Sequence, residues 1–183
     1  DIIVTTDADC VMNNAWLSTL VNYYETYGAT FISGPVTIQN EKNIFERWQA
    51  LEFLSMIATG AATLTLRAPI LCNGANLLYE KQAYLQVNGN KNNEKYASGD
   101  DVFLMKNINY KLRERIGFIK HTDAIVYTAA QPTLRAFFMQ RIRWASKSKY
   151  YKDTPSILIT LLVFLFNSLL ATGFVIGIFH PLY

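Results

Sequence analysis

The sequence predicts an α/β domain followed by a transmembrane helix, on three observations. Strand-like runs of β-branched residues alternate with stretches of helical apolar periodicity as far as about Tyr151. Ile157 to Phe179 then form 23 residues without a charge. As a helix rising about 1.5 Å per residue this run spans roughly 34 Å, enough to cross a hydrocarbon core of about 30 Å. Just before it, Arg135, Arg141, Arg143, Lys147, Lys149 and Lys152 occur with no acid between them. By the positive-inside rule they and the preceding domain belong on the cytoplasmic face.

The elements follow in order. Ile2–Thr6, "IIVTT", reads as a buried strand ending in a polar turn. Asn13 or Asn14 is placed to cap a helix from about Ala15 to Tyr27, with Trp16, Leu17, Leu20, Val21 and Tyr24 on one face and Gly28 at its end. "ATFISGPVTIQ" is a second strand run, interrupted by Gly34-Pro35. A helix is expected from Ile44 to about Thr59, its stripe being Phe45, Trp48, Leu51 and Leu54 or Ser55. A strand near Asn76–Tyr79, a short helix from Glu80 and the polar loop "NGNKNNEKYASGDD" come next. A helix from Val102 to about Asn109 leads to strands at "FIKH" and "AIVYT". Pro132-Thr133 opens a last helix to about Tyr151, lying before the membrane run that Pro155 and Pro181 bracket, with Tyr183 as an interfacial aromatic.

Composition narrows the function. The chain has 183 residues, 51% of them hydrophobic and 17% charged, which excludes a disordered chain. A net charge of +3 gives no reason to expect a nucleic-acid partner. It is unevenly spread, six of the 17 basic residues lying between Arg135 and Lys152. Cys10 and Cys72, distant and outside any CxxC, make no zinc site or disulfide framework, and two histidines make no His-rich cage.

Three constellations carry chemistry. Asp7-Ala8-Asp9 follows the first strand, and two carboxylates at i and i+2 in a loop can converge on a hard cation, Mg²⁺ or Mn²⁺. The same pattern also suits a plain polar turn. Ser98-Gly99-Asp100-Asp101 sits at a helix start, where a carboxylate pair fits a general base and equally a simple N-cap. Gln140-Arg141-Ile142-Arg143-Trp144 is the most specific, since Arg offers a planar fork for a diphosphate and Trp a π-face for a sugar. Arg143 and Trp144 also fit the role of interfacial anchors.

The order Asp-x-Asp, Asp-Asp, Gln-x-x-Arg-Trp, then an apolar helix resembles the membrane-bound family 2 glycosyltransferases, which include cellulose, chitin and hyaluronan synthases and ceramide glucosyltransferase. "TTDADC", "CNGANLLYEKQAY", "SGDD" and "QRIRW" carry the resemblance, which covers nearly the whole chain. It implies a partial GT-A fold (a Rossmann-like domain that transfers sugars from nucleotide diphosphates). Residues 1–152 correspond to its C-terminal half with the basic helix, and 153–183 to a transmembrane segment. The start at Asp1 inside a strand-like run leads us to expect a fragment lacking the nucleotide-binding half-sheet.

Residue by residue, the resemblance assigns Asp9 to the metal and Asp7 to the metal or the nucleotide ribose. Asp101 becomes the general base, supported by Asp100, while Gln140, Arg143 and Trp144 hold the donor diphosphate and the acceptor terminus. The implied reaction is inverting transfer from a nucleotide-diphosphate sugar, a UDP-sugar first, to a carbohydrate or lipid acceptor. The expected location is the cytoplasmic face of a bacterial inner membrane. A nucleotidyltransferase of related fold and a non-catalytic membrane-anchored module are the alternatives.

Overall fold

A computed structural model describes residues 1–88, 100–113, 115–146 and 154–179. Residues 1–145 and 146–183 form two separate compact units. The first is a mixed α/β domain built on two small sheets. The larger sheet has four strands, β1 (Ile2–Thr5), β3 (Phe31–Ser33), β5 (Leu77–Glu80) and β6 (Ile116–Phe118), in the order β1-β5-β3-β6. β5 runs antiparallel to both neighbours, pairing Ile2 with Glu80 and Phe31 with Tyr79, whereas β3 and β6 are parallel. It follows that β1, β3 and β6 all point the same way. The smaller sheet, β2 (Val11–Met12), β7 (Val126–Thr128) and β4 (Val36–Ile38), has the order β2-β7-β4.

The chain passes from one sheet to the other at Gly34-Pro35, between β3 and β4. Only glycine fits there, because a Cβ on Gly34 would lie 2.4 Å from the Asn76 amide nitrogen. Asn76 is fully buried. Its amide donates to the carbonyls of Pro35 and Ala124, each at 2.8 Å, and its oxygen accepts from the Trp16 indole at 3.1 Å. One asparagine therefore satisfies all its main hydrogen-bonding capacity by joining the sheet switch, a 3₁₀ turn (Thr122–Ala124) and the first helix.

That helix, α1 (Trp16–Tyr27), buries Trp16 and Leu20, leaving Leu17 half exposed. Its cap differs from expectation. Ala15 makes no side-chain cap, and Asn13 instead accepts from the Ala15 N–H at 2.8 Å in an Asx-type turn. Gly28, at φ 57°, ends the helix in the left-handed region as expected.

α2 (Ile44–Thr65) starts with a reciprocal cap, Glu46 N–H to Asn43 Oδ1 at 3.0 Å and Asn43 Nδ2 to Glu46 Oε1 at 2.8 Å. It outruns the expected end near Thr59 because Gly60 serves a close approach and not a stop. A Cβ there would lie 2.9 Å from the Leu71 carbonyl oxygen. The expected stripe is also corrected. Trp48, Leu51 and Leu54 are exposed, and the inward residues are Gln49, Phe53, Gly60, Thr63 and Leu64. Polar Gln49 can sit inside because it exchanges two hydrogen bonds with the Gln131 backbone, at 2.9 and 3.0 Å.

α3 (Lys81–Asn88) follows β5, and α4 (Asp100–Asn107) continues into a π-helical turn at Ile108–Leu112. The strand expected at "FIKH" lies two residues earlier, as β6. Its register is set by pairing Phe31 with Ile116 beside β3. α5 spans Leu134–Ser146. The expected continuation to Tyr151, the polar loop from Gly89 to Gly99 and the flanking Pro181 and Tyr183 lie outside the described residues. Leu20, Phe31, Ile32, Leu77, Leu78, Met105, Ile108 and Val126 are fully buried, each contributing roughly 1.5–3 kcal/mol of apolar burial.

The second unit contains α6 (Thr154–Phe179). Ser156–Phe174 has a mean hydropathy of 2.2, and by length and composition this helix can cross a membrane. Thr160, Asn167 and Thr172 each donate a side-chain hydrogen bond at 2.8 Å to the carbonyl four residues earlier. This lets polar side chains sit on an apolar helix without seeking water.

Candidate active site

The site begins where β1 ends. Thr5 is the last residue of that strand, and the next turn carries Asp7, Ala8 and Asp9 before β2 starts at Val11. The turn is closed by the Cys10 N–H donating to the Asp7 carbonyl at 3.1 Å. Asp7 and Asp9 are exposed, and one ligand atom from each, with the Cys10 sulfur, lies within 4.8 Å of the others. Burial, then the charges of Asp9 and Asp7, push the Cys10 thiol above its ordinary value despite a side-chain hydrogen bond with Thr128. A protonated thiol is a poor ligand, whereas two exposed carboxylates suit a small hard cation that keeps several waters. The donor set thus fits Mg²⁺ or Mn²⁺ at Asp7 and Asp9.

Asp101 lies in the first turn of α4. Its Oδ1 accepts from the Val102 N–H at 2.8 Å and its Oδ2 from the Gly74 N–H at 3.0 Å. The Gly74 carbonyl in turn accepts from the Thr5 hydroxyl at 2.8 Å. Gly74 is the bridge that ties the Asp101 carboxylate to the end of the strand carrying Asp7 and Asp9. Space there is tight, as a Cβ on Gly74 would approach Asp101 Oδ2 to 3.3 Å. The turn itself is set by Asn73, whose side chain accepts from the Ala75 N–H at 3.0 Å and whose carbonyl accepts from the Asn76 N–H at 3.1 Å. Asp100 opens α4, but its side chain lies outside the described residues, as do Ser98 and Gly99.

Gln140, Arg143 and Trp144 lie on α5 and have different neighbours. Arg141 organises Gln140 and Trp144. Its guanidinium makes a two-point ion pair with Glu52 of α2, Nε to Oε1 at 2.9 Å and Nη2 to Oε2. It lies 4.4 Å from the Phe137 ring and 4.3 Å from the Trp144 ring, and donates to the Gln140 side-chain oxygen. Trp144 also approaches Phe53, ring centres 6.1 Å apart. Gln140 and Trp144 thus wrap an arginine that locks α5 to α2, while Arg143 is exposed.

The sequence reading missed Gly74, Asn76, Gln49 and the Glu52–Arg141 pair. Asn73-Gly74 is a recognisable turn signal, and Gly74 could have been marked from it. Nothing local marks Gln49 or Glu52, whose partners lie 82 and 89 residues away.

A mixed sheet whose strand end bears two carboxylates, with a third tied to it across a glycine turn, defines an α/β domain with a polar site at its strand ends. Residues 2–183 match the family described as Glycosyl transferase family group 2, so the chain belongs to that family and is a glycosyltransferase. No curated protein matches the chain. The family implies a nucleotide-sugar donor and a separate acceptor, which favours glycosyl over nucleotidyl transfer.

Proposed function

We propose that the chain carries the acceptor-side machinery of an inverting, metal-assisted glycosyltransferase working at the cytoplasmic face of a membrane. The observation that supports this most is the Gly74 bridge, which couples Asp101 to the strand end bearing Asp7 and Asp9. Asp9 and Asp7 hold Mg²⁺ or Mn²⁺, which supplies positive charge for the leaving diphosphate when bound. Asp101 takes the proton from the acceptor hydroxyl as that oxygen forms its bond to the anomeric carbon. The bond from that carbon to the diphosphate oxygen breaks, its electron pair leaves with the nucleoside diphosphate, and Arg143 meets the developing charge. Gln140 and Trp144 shape the acceptor end, and Asp100 supports the base.

A UDP-sugar is the preferred donor and a carbohydrate or lipid the acceptor. α6 and the basic residues before it support membrane attachment with the domain on the positive, cytoplasmic side. The experiment is Asp101→Asn in the membrane-embedded protein with labelled UDP-sugars. Transfer should fall by roughly 10²–10⁴, the usual contribution of a general base, with donor affinity nearly unchanged. Turnover near the wild-type rate would remove Asp101 from the role of base.

A further inference from the structure

A polar cavity of about 530 Å³ shares no lining residue with the carboxylate site. Its lining includes Ala29, just before β3, and Arg115 and Ile116, at the start of β6. All of β6 lines it, and β6 is the edge of the sheet opposite β1, whose end carries Asp7. Its volume falls within the roughly 300–1,000 Å³ of small-molecule sites.

Its described lining is basic. Arg67, Arg113 and Arg115 line it with Tyr23 and Tyr27, and no acidic residue is among its described lining. Arg115 donates through Nη1 to the Tyr27 carbonyl at 2.7 Å, which fixes that guanidinium without neutralising it. Among the described residues neither Arg67 nor Arg113 has a carboxylate partner. Tyr23 and Tyr27 stand as a pair with ring centres 4.5 Å apart. Three arginines lining one space favour an anion within it; Glu114, between two of them in the chain, lies outside the described residues.

The backbone adds an independent observation. Among the described residues, three that are not glycine adopt positive φ, and two of them are Arg67 and Arg113, both at 57°. Glycine holds that conformation freely, whereas an arginine does so at a cost. Strain of this kind collects where a side chain is needed in a given place. Both arginines stand at helix ends, a place where glycine is the least strained choice, and both residues line the same cavity.

We propose that this cavity is a binding site for a phosphate-bearing anion, a phosphomonoester or diphosphate, held by the guanidinium forks of Arg67, Arg113 and Arg115. Planar guanidinium groups match phosphate oxygens two at a time. The phosphate belongs either to a soluble metabolite or to a lipid headgroup, and both carry the same recognition chemistry.

The test uses the whole protein in neutral detergent with EDTA, so that diphosphate binding through a metal does not contribute. Inorganic pyrophosphate and, separately, dioctanoyl phosphatidic acid are titrated calorimetrically, with dioctanoyl phosphatidylcholine as the neutral control. Binding of either anion should weaken at least tenfold in both Arg67→Gly and Arg113→Gly and persist in Arg143→Ala. The Tm of each glycine variant should equal or exceed that of the wild type, because the left-handed backbone is relieved. Preference for pyrophosphate assigns a soluble ligand, and preference for phosphatidic acid a lipid headgroup. The proposal is overturned if neither anion binds, if both glycine variants bind as tightly as wild type, or if only Arg143→Ala abolishes binding. This outcome is independent of transfer activity, so it stands apart from the Asp101 experiment.

Discussion

Asn76 should be among the costliest single positions in the domain. Replacing it with alanine removes three hydrogen bonds, to Pro35, Ala124 and Trp16, at a site with no solvent exposure. Three neutral bonds at about 1 kcal/mol each give about 3 kcal/mol, and stranding the buried indole N–H adds about 1 more. A total of about 4 kcal/mol corresponds to roughly a thousandfold rise in the population of locally open protein. Cys72, buried four residues upstream, provides the readout. In a Cys10→Ser background its alkylation rate reports the open population whenever reclosing outpaces labelling. Trp16→Phe, which deletes one bond of the three, should raise that rate only about five- to thirtyfold, or about 1–2 kcal/mol. Asn76→Asp keeps the shape but turns a carboxylate toward two carbonyl oxygens, and should be at least as damaging as alanine. A rise under tenfold for Asn76→Ala, or normal protection in Asn76→Asp, would refute the role of Asn76 as the link between the sheets.

The remaining predictions concern the site. Because burial and the charges of Asp9 and Asp7 hold the Cys10 thiol above its ordinary value, its thiolate is scarce at pH 8 and alkylation there should be slow. Asp9→Asn removes a negative charge, lowers that thiol's pKa and should speed alkylation. Mg²⁺ or Mn²⁺ should do the same in the wild type and have little effect in Asp9→Ala, and an unchanged rate on adding either ion would count against a metal at Asp7 and Asp9. Sugar transfer should likewise disappear in chelator. Arg143→Ala should weaken donor binding by about tenfold or more, the worth of one charge-assisted bond. Unaltered donor affinity would leave Arg143 as an interfacial anchor.

The strands and helices were readable where local signals agree with burial, as in "IIVTT" and in α1 with its closing Gly28. The α2 stripe was not. Phe45, Trp48, Leu51 and Leu54 have the right spacing, yet Trp48, Leu51 and Leu54 remain exposed and Gln49 turns inward. Periodicity identifies an apolar face, not its partner, and a buried glutamine is stable only through its bonds to Gln131, 82 residues on. The register of β6 likewise depends on β3, which no local signal encodes. At the site, Asp7 and Asp9 could be read as a pair because they share one turn. Their tie to Asp101 could not, since it passes through the backbone of Gly74.

The two arginines of α5 show how far a motif and its geometry can part. Residues two apart on a helix point about 200° from each other. One of Arg141 and Arg143 must therefore face the domain if the other faces away. Arg141 faces in, stacked between Phe137 and Trp144 and paired with Glu52, both partners partly buried. Its part is positioning, since Gln140 and Trp144 touch it directly. Glu52→Ala and Arg141→Ala should each lower stability by about 1–3 kcal/mol. The double variant should cost less than their sum, leaving a coupling of about 1–2 kcal/mol. Paired with Arg143→Ala, Glu52→Ala should instead be additive in stability. On the proposal that Gln140 and Trp144 shape the acceptor end, Arg141→Ala should also lower kcat more than it raises KM for the donor. A double variant as costly as the two singles combined would show that the ion pair does not hold α5 to α2. The specificity of the five-residue motif would then have to come from Arg143 and Trp144 alone.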